Sequence, residues 1–194
     1  MAADFAFLHL DGLRADLPPG AGIGKILYFD APSGLAGDMI IAALIDLGVP
    51  VRVVEEAVSA LKMSGFHLHL GAKAHSGIVG THFDVHVEEA QHERTYGEIR
   101  GLIDRSSLTP SVKARAHKTF LRLAESEAKV HRSSLDDVHF HEVGAIDAIV
   151  DVVGSAAALD YIGASLVVSP LPMGHGTVKA RHGILPLPAP ATVE

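Results

Sequence analysis

The residues best suited to chemistry crowd into one stretch, VHFHEVGAIDAIVDVVGSAAALDYIG, residues 138–163. From His139 to Asp151 it carries His139, His141, Glu142, Asp147 and Asp151. Imidazole nitrogens and carboxylate oxygens are ligands that nickel, zinc, iron and manganese accept. His139 and His141 alternate, so an extended backbone sends both side chains the same way. From Ala145 the pattern turns helical. Asp147, Asp151 and Ser155 then recur as one narrow polar stripe on a helix otherwise built of Ala, Ile, Val and Leu. A helix that is apolar nearly all round is a buried helix. Carboxylates at i and i+4 repel each other, and burying them unpaired is costly. Something positive should therefore lie over the stripe. A metal held with help from the histidines would serve, and so would an Arg or Lys from another element; the spacing leaves both open.

Other elements must position that stretch. ILYFDA, residues 26–31, reads as a short strand, and PSGLAGDM leads from it into a helix, IIAALIDLG, closed by Gly48. A strand, a Ser33-Gly34-x-x-Gly37-Asp38 turn and a helix together offer backbone N–H groups to an anion such as a phosphate. Asp38 reads equally as a helix N-cap, and Asp30 at the strand end is a further ligand candidate. Pro50 opens a second helix with Val51, Val54, Val58 and Leu61 on one face. FHLHLGAK and GIVGTHFDVHVEE alternate strictly and read as a hairpin around Gly77, with Phe66, Leu68, Leu70, Phe83, Val85 and Val87 inward. His67, His69, His82 and His86 then share the outer face, solvated or loosely collecting metal. TYGEIRGLIDR is a short helix. Thr109 and Pro110 start a longer structural one, with Val112, Ala116, Phe120, Leu123 and Ala124 as its stripe and Glu125 and Lys129 spaced as an ion pair. ASLVVSP is another short strand, followed by a Gly/Pro-rich loop holding His175 and His182.

Composition narrows the classes. The 194 residues are 48% hydrophobic and 20% charged, which suits one soluble globular domain. The expected division is an extension or linker at 1–24 and a single domain at 25–194. No run is long enough for a membrane span, and the N-terminus lacks a basic signal region, so the expected location is cytoplasmic. With no cysteine, thiolate chemistry is excluded, and a net charge of −7 argues against nucleic acid as a partner. The thirteen histidines make imidazole the available soft ligand. No P-loop, dinucleotide fingerprint, HExxH or nucleophile elbow is present.

Three stretches, YFDAPSGLAGDMIIAALIDLGV, VHFHEVGAIDAIVDVVGSAAAL and SPLPMGHGTVKARHGILPLPAPAT, together resemble the N-terminal half of the LarC family of nickel insertion proteins, and LAESEAKVH between them fits as well. The resemblance runs from Ile26 to the last residue. It implies a nickel chelatase of the lyase class acting in lactate racemase maturation. Such an enzyme inserts Ni2+ into pyridinium-3,5-bisthiocarboxylic acid mononucleotide, with a carbon–nickel bond formed and CTP consumed with a divalent cation. The implied partners are that nucleotide precursor and a C-terminal CTP-binding half, with a homo-oligomer left open. His182-Gly183 fits the family pattern better than His175 does. The candidate site is therefore His139, His141, Asp147, Asp151 and His182 for metal, Glu142 and Asp38 for catalysis, and Ser33, Gly34 and Gly37 for the substrate phosphate. Two alternatives remain: a metal-binding partner domain without chemistry of its own, and a metal-dependent hydrolase. The fold expected is α+β (mixed α/β). A small mixed sheet from the strands near 26–30, 66–73, 78–87 and 165–169 should carry helices on one face, with a nearly fully buried helix at about 145–162.

Overall fold

The computed structural model describes residues 5–7, 15–88, 94–140, 145–180 and 183–194. In chain order the elements are β1 (Phe5–Phe7), β2 (Ile26–Phe29), α1 (Gly37–Leu47), α2 (Val51–Ser59), β3 (Phe66–His75), β4 (Ile78–Val87), α3 (Tyr96–Arg105) and α4 (Pro110–His131). They are followed by α5 (Ile146–Ile162), β5 (Ser165–Val168), β6 (Thr177–Ala180), β7 (Gly183–Pro186) and α6 (Pro190–Val193). The mixed α+β class is borne out. Local chemistry explains the helix starts. The Thr95 N–H donates to the Glu98 carboxylate (2.7 Å) and the Thr95 hydroxyl accepts from the Glu98 N–H (3.2 Å), a reciprocal cap on α3. Thr109 caps α4, with Pro110 at its first position as expected.

The hairpin is as read. β3 and β4 are antiparallel with Phe66 opposite Val87, Leu68 opposite Val85 and Leu70 opposite Phe83. Phe66, Leu68, Leu70 and Phe83 are buried, while His69, Asp84 and His86 are exposed. The expected four-strand sheet is not what forms. β3 has a partner on each edge, β4 on one side and parallel β1 on the other. β2 pairs in parallel with β5 as a separate two-stranded sheet. β6 and β7 make a third, antiparallel pair.

α5 lies between two hydrophobic clusters. Ile146, Val150, Ala158 and Ile162 pack with α1, α2 and the hairpin. Ile149, Val153, Ala156 and Ala157 pack with α3 and α4. That is why the helix has almost no polar face: each side has its own core to fill. The stretch read as an extension is tied to α5 where it is described. The Gly20 N–H donates to the Tyr161 carbonyl (2.7 Å) and the Gly22 N–H to that of Ile162 (2.9 Å). The Tyr161 hydroxyl donates to the Leu17 carbonyl (2.8 Å). Glu125 and Lys129 do not pair with each other. Glu125 takes Arg122 (3.0 Å), and Lys129 takes Glu194, which α6 brings against α4. Among the described residues no helix is long and apolar enough to cross a membrane.

Candidate functional site

Three acidic residues lie close enough for their charges to interact where the first turn of α1 abuts α5. Asp151 is half-buried on α5, and Asp38 and Asp147 are its charged neighbours. The approach is close enough to demand glycine at position 37. A Cβ there would lie 2.4 Å from Asp151 Cβ and 2.7 Å from its Oδ2. Gly37→Ala is therefore expected to cost about 1–3 kcal/mol by overpacking. Urea melts against wild type read this directly, and an unchanged midpoint would contradict the contact.

Among the described residues the polar stripe is met by no Lys or Arg. Asp151 Oδ1 and Ser155 Oγ are buried and find no hydrogen-bond partner among the described residues. Among the described residues no Lys or Arg forms an ion pair with Asp151. Burial chiefly, then the charges of Asp38 and Asp147, push the Asp151 carboxyl up from 3.8 to about 7, while a hydrogen bond from the Asp38 backbone pulls the other way. The chain thus relieves the repulsion by holding a proton more tightly. Asp147 is exposed rather than buried in the stripe: it sits in the first turn of α5, where its Oδ1 accepts from the Ala148 N–H (2.8 Å). Asp38 is not the N-cap, which is Ala36; it lies in the first turn with Oδ1 accepting from the Met39 N–H (2.8 Å).

Ser33 and Gly34 belong to the turn between β2 and α1, where the Gly34 N–H donates to the Ala31 carbonyl (3.1 Å). One of the N–H groups at the start of α1, that of Asp38, is bonded to Asp151. Asp30 is exposed at the end of β2. His139 is exposed and bridged to Thr95, held between buried Val138 and Phe140. His141, Glu142 and His182 lie outside the described residues. Among the described residues no three His, Asp or Glu side chains converge tightly enough to hold a metal. Asp38, Asp147 and Asp151 are brought together, whereas His175 is exposed in the loop before β6.

Two residues that the sequence reading passed over join the site. Arg115 and Thr119 of α4 line, together with Asp151, Val152, Ser155 and Ile40, a cavity of about 390 Å3. Their signal was present but weak: they are four apart, each one residue before a member of the apolar stripe Val112, Ala116 and Phe120.

The sequence profile described as nickel insertion protein matches residues 27–194. The chain belongs to the nickel insertion protein family. It is 52% identical over 173 residues to a protein of Geobacter sulfurreducens, covering 88% of this chain and 45% of that one. A Geobacter metallireducens relative is also 52% identical, with 88% and 44% covered. One from Syntrophotalea carbinolica is 44% identical over 171 residues, with 88% and 43% covered. Each is named as a candidate nickel insertion protein. The chain spans less than half the length of these curated relatives. No solved structure matches it.

Proposed function

We propose that this chain handles nickel in the insertion of Ni2+ into pyridinium-3,5-bisthiocarboxylic acid mononucleotide, a CTP-dependent cyclometallation in lactate racemase maturation. The observation that supports it, beyond family membership, is the half-buried Asp151, on which the charges of Asp38 and Asp147 act and which no Lys or Arg pairs among the described residues. Nickel is the cargo. Asp147 and Asp151, with His139, His141 and His182, are its ligands in this reading. Such nitrogen and oxygen donors hold the ion without trapping it as thiolates would. Ser33 and Gly37 offer backbone N–H groups to the substrate phosphate, and Gly34, whose own N–H is donated to Ala31, shapes the turn between them. When the carbon–nickel bond forms, the ring carbon loses its proton, and Glu142 or Asp38 accepts it. CTP and its divalent cation belong to a C-terminal half, and the reaction takes place in the cytoplasm.

The test incubates the chain with nickel, CTP and the nucleotide, with and without a C-terminal half, and measures the nickel-bearing product. Product from the chain alone makes it a complete enzyme. Product only on mixing favours the second reading, a nickel-binding partner domain, which draws on the chain's coverage of less than half of its relatives. No product in either case, with hydrolysis of simple esters instead, would overturn both.

The outer histidines of the hairpin stand apart from this site. His69 and His86 are in edge contact at 6.1 Å between ring centres, and His67 Nε2 lies 2.7 Å from Glu88. Replacing His67, His69, His82 and His86 with Gln is expected to lower the number of weakly bound nickel ions in equilibrium dialysis. Insertion should stay near wild type. A loss as large as that of His139→Ala would put the hairpin in the site.

A further inference from the structure

The last stretch of the chain has elements but no core of its own. From Ser165 to Glu194 it forms β5, β6, β7 and α6, yet none of its described side chains is buried. Nine of the sixteen exposed large hydrophobic side chains among the described residues fall here, including Leu171, Met173, Ile184 and Val193. Such residues scattered singly need no explanation, but a concentration of them marks an interaction surface. Charge is depleted as well, as at the centre of an interface: Lys179, Arg181 and Glu194 are the only charged residues from 165 to 194. The β2–β5 pair continues the pattern. Parallel strands are as a rule covered on both faces and read as nearly unbroken apolar runs, as ILYF and SLVV do. Leu27 and Phe29 pack against the core, and Leu166 and Val168 are their partners in register. The other face of the pair, Ile26 and Tyr28 with Val167, is exposed. α4 ties these parts together. Leu166 lines one cavity with Arg115 and Thr119, and Glu194 pairs with Lys129 on the same stripe of α4, about 21 Å further along at 1.5 Å per residue.

We propose that this face, the outer side of β2 and β5 together with β6, β7 and α6, is where the C-terminal half of the family's longer chain docks. The proposal rests on the reading that such a half completes the protein. Two observations choose this occupant. The chain spans less than half of its curated relatives, so the family carries a second body of comparable size. The uncovered elements are also the last of the stretch that the family profile matches, and so the nearest to that body in sequence. A bare apolar sheet face is stable when another layer covers it, and the C-terminal half supplies that layer to Val167, Met173 and Ile184. β5 borders the cavity that Asp151 lines, which brings the docked half next to the carboxylates of the nickel reading.

Hydrogen exchange tests this on two whole proteins, this chain and the full-length Geobacter sulfurreducens relative. Amides of β5, β6 and β7 in this chain should exchange at least about 100-fold faster than those of α5. The aligned amides of the relative should be slower than these by about 100-fold or more, while the turn at Ser76 and Gly77 exchanges alike in both. Equal lability in the two proteins would overturn the proposal. So would protection in the relative that vanishes on dilution together with a dimer in sedimentation, since a second copy would then be the occupant. Substitutions add a second readout. Ile184→Lys and Met173→Lys should each leave the melting temperature of this chain within about 2 °C of wild type. The same changes at the aligned positions of the relative should lower it by about 4 °C or more. A loss of that size in this chain would mean that the stretch already packs on its own domain, and would also overturn the proposal. Protection in a relative that forms no nickel product supports the docking face and overturns the nickel reading alone. Nickel product from a relative whose aligned stretch stays labile overturns the docking face alone.

Discussion

Asp151→Asn is expected to stabilise the metal-free protein, more at pH 8 than at pH 5, and to lower nickel insertion by roughly 100-fold or more, the upper scale of losing a partner at a metal site. The stability half follows from linkage. The folded carboxyl titrates near 7 and the unfolded one near 3.8. The folded state therefore binds more protons between those values, and stability from this group, fully present below 3.8, is lost as pH rises through 7. A displacement of that size corresponds to roughly 4 kcal/mol at about 1.4 per pH unit, and screening at a half-buried carboxylate brings the expected span to about 2 kcal/mol. Asn carries no such dependence. The gap between variant and wild type should widen from pH 5 to pH 8 in urea melts with chelator present. Other titrating groups, Glu55 included, cancel because they are common to both chains. A variant less stable than wild type at pH 8 would mean that a cation does lie over Asp151. Unchanged insertion would remove Asp151 from the nickel site.

The parts of this fold that rest on short-range pattern were legible in the chain. Strict alternation identified the β3–β4 hairpin and its buried face, because a period of two has one solution on a half-covered sheet. Thr109-Pro110 marked the start of α4, and an almost wholly apolar run marked α5 as buried. What escaped depends on which element lies beside which. β2 and β5 carry the same strand signal as the hairpin, and nothing in their residues says that β3 already has two neighbours. Asp147 and Asp151 look equivalent on a helical wheel. Only the position of α1 separates them, covering Asp151 and leaving Asp147 in the first turn at the surface. Gly37 read as a phosphate-loop glycine; the structure gives it a second constraint, since Asp151 occupies the space of its Cβ. Arg115 could not be distinguished from any other exposed arginine of α4 until the structure placed it among the residues lining one cavity with Ser155.

Phe140→Ala is the second large effect expected, about 3–5 kcal/mol of stability and a melting temperature lower by roughly 10 °C. Phe140 is 1% exposed. Its ring meets Tyr96 edge-on at 6.5 Å and Phe120 at 6.3 Å, joining α3 and α4 to the segment that precedes α5. Such ring pairs add to the cost of lost apolar area. The Tyr96 N–H donates to the Val138 carbonyl (3.0 Å), so the same segment is held by backbone as well. Because Phe140 directly follows His139, the residue that anchors this segment in the core also holds His139 at the surface. Phe140→Leu keeps most of the volume and should cost less than about 1.5 kcal/mol. Both variants should be assayed well below their melting temperatures, where each is folded. Nickel affinity is then expected to fall in Phe140→Ala and to hold within a few-fold in Phe140→Leu. A Phe140→Ala protein that is destabilised as expected, yet binds and inserts nickel like wild type when folded, would show that the histidine segment finds its place without the aromatic anchor. Asp147 and Asp151 of α5 would then carry the metal site by themselves.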